Sequence, residues 1–209
     1  MTRSHLVATG VLLSLPAFAA TPPPEIAFEM TWNATVQSKP ATGLTMGLFK
    51  VTFEESTLDQ VKNAALAGHI EHKGDAGEST YWLCYTNQTK NGTERIWIIA
   101  HGEMGGPDHA IGRVSAEPTA ASGGTNDCPA LPAKMQPVSL DNGLWLNTPE
   151  TAVNKLGKPS NKSGAWRSYE HQGKVPGECE GGFDVLNWLQ LKTSKGRVVT
   201  LHAGQVTSC

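Results

Sequence analysis

LDNGLWLNTPETAVNKLGKPS, residues 140–160, is punctuated as a helix. Thr148 is placed to accept hydrogen bonds from the free amides of a first turn, and Pro149 falls at the first helical position, where a missing N–H costs nothing. Val153 and Leu156 supply a short apolar stripe, and Gly157 can end the helix in a left-handed conformation. An aromatic strand, Gly143-Leu-Trp-Leu146, precedes it. A helix this short is not stable alone and implies a sheet to lie on.

The same order occurs earlier in the chain. Gly47-Leu-Phe-Lys-Val-Thr-Phe53 is followed by Ser56 or Thr57 as a cap, by Leu58, Val61, Ala65 and Leu66 at helical spacing, and by Gly68 as a stop. The segments C-terminal to each helix also correspond. Residues 79–86 (STYWLCYT) match 164–170 (GAWRSYE), 94–100 (ERIWIIA) match 184–191 (DVLNWLQL), and 110–115 (AIGRVS) match 196–202 (GRVVTLH). These segments are rich in aromatic and β-branched residues and read as strands. Asn91-Gly92 and Lys195-Gly196 supply tight turns. The expected fold is therefore α+β: two tandem repeats, each a short helix plus an antiparallel meander, with the helices on one face of a shared sheet. Repeat 1 spans 47–116 and repeat 2 spans 138–209, joined by a Pro/Gly/Ser-rich linker at 117–137. Residues 21–46 form an extended leader, with the question open whether 26–45 adds an edge strand.

The first twenty residues, MTRSHLVATGVLLSLPAFAA, have the basic start, apolar run and small-residue exit of a secretory signal peptide. The remainder, about 190 residues, fits one domain or two small ones sharing a core. No segment is apolar over the about 20 residues a membrane helix needs, so stable membrane insertion is not expected. Lys and Arg number 17 against 19 Asp and Glu, with no basic run, which argues against a nucleic-acid partner. An exported protein, periplasmic or secreted, is expected.

The four cysteines, Cys84, Cys128, Cys179 and Cys209, allow three pairings. The repeat layout favours bonds within each copy, Cys84 with Cys128 and Cys179 with Cys209. A bridge across copies stays open as the alternative.

Tandem helix-plus-sheet repeats, each tied by a disulfide, resemble the β-lactamase inhibitory protein architecture. The segment 147–159 (NTPETAVNKLGKP) is similar to the helix-to-Gly-x-Pro signature of small outer-membrane assembly lipoprotein domains, although this chain carries no lipidated cysteine. The resemblance implies a protein-binding surface on the sheet face and loops, and no catalytic residues.

Among chemistry-bearing groupings, 100–110 (AHGEMGGPDHA) brings the ligand types His101, Glu103, Asp108 and His109 into one loop, and His69 and His72 form a second pair. Neither spacing matches a known zinc pattern, so no metal and no cofactor is expected. No GxSxG elbow, P-loop or dinucleotide fingerprint is present. Of the six tryptophans, Trp82, Trp97, Trp166 and Trp188 lie in expected strands, where alternation sends part of the set away from the helices. The candidate partner-binding residues are Glu103, Met104 and Asp108 in the loop and Trp166, Arg167 and Tyr169 on a strand. The leading functional expectation is a non-enzymatic protein-binding module, an inhibitor or immunity-type protein that occludes an exported enzyme or toxin. An envelope-assembly module and a small metal-dependent hydrolase are the alternatives.

Overall fold

The computed structural model describes residues 21–34, 36–102, 109–121 and 123–209. Antiparallel sheet dominates, with few helices. Strands β1 (Gly43–Met46) and β2 (Phe49–Thr52) form a hairpin, and helix α1 (Leu58–Ala65) comes next. Then come β3 (Glu71–Lys73), β4 (Thr80–Thr89), β5 (Gly92–His101) and β6 (Ile111–Thr119). After the connecting segment lie β7 (Val138–Leu140), the one-turn helix α2 (Glu150–Val153), β8 (Asn161–Ser163), β9 (Trp166–Val175), β10 (Phe183–Ser194) and β11 (Arg197–Ser208).

Eight strands form the large sheet in the order β3-β4-β5-β6-β11-β10-β9-β8, and β2-β1-β7 form a three-stranded sheet beside it. Chain order thus runs inward from each edge of the large sheet, and the two runs meet where β6 pairs with β11. Lys195 and Gly196, with φ +49° and +72°, form the expected left-handed pair of a two-residue hairpin, whereas the β4–β5 hairpin turns at Lys90-Asn91, one position before the expected Asn91-Gly92, and Gly92, φ +120°, opens β5 opposite Thr89.

Alternation along the strands separates two faces. One carries Leu83, Tyr85, Ile96, Ile98, Val114, Tyr169, Leu189, Leu191 and Leu201, all buried beneath α1, the small sheet and Trp145. Thr57 caps α1 through a capping box with Gln60, and Leu58, Val61 and Ala65 are its buried stripe. The left-handed residue at its C-terminus is Leu66, φ +57°, rather than Gly68.

Two local expectations need correction. Thr148 does not cap α2; its hydroxyl accepts from Trp145 N at 3.0 Å, and Pro149 occupies the cap position. Gly143-Leu-Trp-Leu146 forms a turn rather than a strand, because Asn142 Oδ1 takes the Leu144 N–H and Gly143 adopts φ +82°. The strand role falls to Val138–Leu140. Trp145 still reaches into the core and donates to the buried Glu94 of β5.

The disulfides join Cys84 to Cys128 and Cys179 to Cys209, closing separations of 44 and 30 residues. In the loop-entropy picture each contributes about 4 kcal/mol. Such bonds fit an exported protein. Among the described residues no helix is long and apolar enough to cross a membrane.

Candidate functional site

The second face of the large sheet has an unusual composition. One register row across six strands reads Trp82, Ile99, Arg113, Gly204, Trp188, Glu170. The next reads Cys84, Trp97, Ser115, His202, Gln190, Ser168. Gly204 is required beneath the indole, since a Cβ there would stand 2.8 Å from Trp188 Cζ2 and 2.4 Å from the Gly112 carbonyl oxygen.

Residues 21–34 cross this face as an extended strap held by side chains instead of by a strand ladder. Both indoles of Trp82 and Trp97 donate to the Thr21 carbonyl, at 3.1 and 3.2 Å. Gln190 reads the strap as a neighbouring strand would: its Oε1 accepts from Ala27 N and Phe28 N, and its Nε2 donates to the Phe28 carbonyl at 2.7 Å. Glu170, only 1% exposed, accepts from Thr31 N, Thr31 Oγ1 and Asn33 N. A buried carboxylate needs this many donors to offset its lost hydration. The strap leaves at the β9 edge, where Val36 N donates to the Glu170 carbonyl, then rejoins the core face as β1.

Between strap and sheet lies a cleft of about 520 Å³, roofed by Pro22–Ile26 and floored by Thr80, Trp82, His101 and Arg113, with Lys73 and Glu78 at its rim. Arg113 defines its chemistry. Burial lowers the guanidinium pKa to about 10, so it is still charged at neutral pH. Among the described residues Arg113 makes no ion pair and its Nε has no hydrogen-bond partner. Its neighbours answer its charge by staying neutral. His202, buried, is lowered to about 3 by burial and then by Arg113; its Nδ1 meets Ser115 Oγ at 2.9 Å and its ring stacks on Trp166. His101 is pushed down by the same two causes, although the residue stays open to solvent on one side and water screens part of that push.

The residues expected from sequence distribute unevenly. Glu103, Met104 and Asp108 lie outside the described residues. Trp166 is half-buried on the strap face, at His202. Arg167, its chain neighbour, points to the other face, where it pairs with Glu150 of α2. Tyr169 is 1% exposed inside the core. Arg167 and Tyr169 thus share the helix-covered face, and the structure does not bring the three into one surface. His101 and His109 line a smaller cavity together with Glu54. Among the described residues no three His, Cys, Asp or Glu lie close enough to hold a metal ion. Sequence reasoning missed Arg113, Glu170 and Gln190 as a set. Alternation was the available signal, because Arg113 is flanked by the core residue Val114 and so must face the tryptophans.

No protein-family model, curated protein or solved structure matches the chain.

Proposed function

We propose that the chain is an exported, non-enzymatic protein-binding module of the inhibitor or immunity type. In this reading its two halves are tandem copies of one unit, as in the β-lactamase inhibitory protein layout. The inward-running strand order and one disulfide within each half support the repeat. The observation that carries the function is the half-buried Arg113 at the floor of an open cleft, its guanidinium Nε shielded from solvent and the side chain without an ion-pair partner among the described residues. Holding such a charge out of water is costly, and the cost is recovered if a partner brings a carboxylate into the cleft. The aromatic wall beside it, Trp82, suits the apolar surround of a protein hot spot. Glu or Asp on an exported enzyme or toxin is the complementary group.

Capture from an exported-protein fraction tests this, using the immobilised mature protein and its Arg113→Met variant with matched circular dichroism. The reading expects a distinct protein retained by the native chain, released by rising salt and lost in the variant. Equal capture by both would reject the cleft as the contact.

A further inference from the structure

Thr21 is held at every polar atom it owns. Its backbone N donates to Asp127 Oδ2 at 2.9 Å, its hydroxyl donates to the same oxygen, and its carbonyl accepts from both Trp82 and Trp97. The receiving groups are anchored outside the strap, in strands β4 and β5 and in a disulfide-tied loop. Both indoles are buried. Asp127 lies beside Cys128, whose disulfide ties the loop to β4, and Thr125 Oγ1 donates to its other oxygen at 2.6 Å. A carboxylate with fixed donors around it is a stronger receptor than one amide N–H uses, and suits an ammonium.

We propose that Thr21 is the mature N-terminus and that Asp127, with Trp82 and Trp97, is a docking site for its α-ammonium. The inference rests on the export reading, since removal of residues 1–20 is what creates the charge. Two cuts are chemically open at the small-residue exit, after Ala19 and after Ala20; the first fits the Ala17-x-Ala19 triplet, whereas the second places the charge on the nitrogen that Asp127 contacts. Hydrolysis of the Ala20–Thr21 amide adds water across that bond, leaving a carboxylate on the leader and an ammonium on Thr21. The hydrogen bonds that pin the strap at Thr21, over the cleft, then gain the charge of the ammonium. Asp127 supports the site energetically: burial alone would raise its carboxyl, but the hydrogen bonds from Thr125 and Thr21 outweigh it and hold the group at about 2.

Intact-mass analysis of the exported protein should show a chain beginning at Thr21; a chain beginning at Ala20 or retaining the leader overturns the assignment. Separately, oxidised protein beginning at Thr21 is compared with its Nα-acetylated form, each with Asp127 and with Asp127→Asn, by urea unfolding. The expected result is that acetylation raises the unfolding constant about tenfold with Asp127 and has little effect with Asn, as a charge-assisted hydrogen bond predicts. The difference should also vanish as pH rises past the amine's ordinary range, about 8. Equal unfolding of the acetylated and free forms in the Asp127 background would overturn the docking site. This cycle uses no partner, so its outcome is independent of the capture experiment.

Discussion

His202 shows how a single residue couples the strap face to pH. Its folded pKa, about 3, lies below the value near 6.5 of an unfolded histidine. Between these values the unfolded chain binds the extra proton, so this contribution to stability is fully present above about pH 6.5 and is lost as pH falls toward 3. Asp127, held at about 2, adds a second loss below its ordinary range. Thermal melts from pH 7 to pH 4 should therefore show a steady fall in Tm that is markedly shallower in His202→Gln. An unchanged slope would mean that the ring is not held neutral by the fold. Arg113 gives the opposite signature. Removing a half-buried charge that lacks an ion partner among the described residues is expected to cost no stability, and Arg113→Met should unfold at the same or a higher urea concentration than the native chain. Destabilisation by about 3 kcal/mol would instead indicate a structural ion pair.

At the scale of elements, the strap beyond Thr21 is held by two side chains from the neighbouring strands β9 and β10. Glu170 accepts three hydrogen bonds from it, and Gln190 both accepts and donates. Glu170→Ala removes the acceptor for all three donors, so a loss of about 2 to 4 kcal/mol is expected, with faster proteolysis inside residues 21–34. If the strap stays protected while global stability falls, Glu170 serves the core and not the strap. This element was the least legible part of the sequence. Apolar residues do alternate from Ile26 through Phe28, Met30 and Trp32, which are the more buried positions, but nothing local says which face they cover, and the strap's contacts lie from about sixty to more than a hundred and sixty positions away. The strands and α1 were readable because local rules govern them: β-branched and aromatic runs, a Thr57/Gln60 capping box and the Lys195-Gly196 turn. Around Thr148 the local rule lost to a nearer acceptor geometry, since its hydroxyl closes the turn at Trp145.

For the whole molecule, the two disulfides brace the ends of both halves while the β6–β11 pairing joins them. Mutating Cys179 and Cys209 together to Ser should lower stability by about 3 to 4 kcal/mol without loosening the Cys84–Cys128 side, which hydrogen exchange on β4 and β5 can track. Uniform loss of protection across all eight strands would show one cooperative sheet instead. The cysteine pairing was legible because Cys84 and Cys128 lie in the first part of the chain and Cys179 and Cys209 in the second. The strap face was only half legible: the tryptophans announced it, but Tyr169 and Arg167, close to Trp166 in the chain, belong to the opposite face by alternation and are committed to the core and to Glu150. The central claim is that the Arg113 cleft receives an acidic group from a protein partner. Its most direct measurement is a binding titration of the captured partner against native protein and Arg113→Met at low and high salt. The account predicts at least a hundredfold weaker binding for the variant at low salt, as loss of a desolvated charge contact implies, and a reduced salt dependence. Equal affinity and equal salt dependence for the two proteins would contradict it.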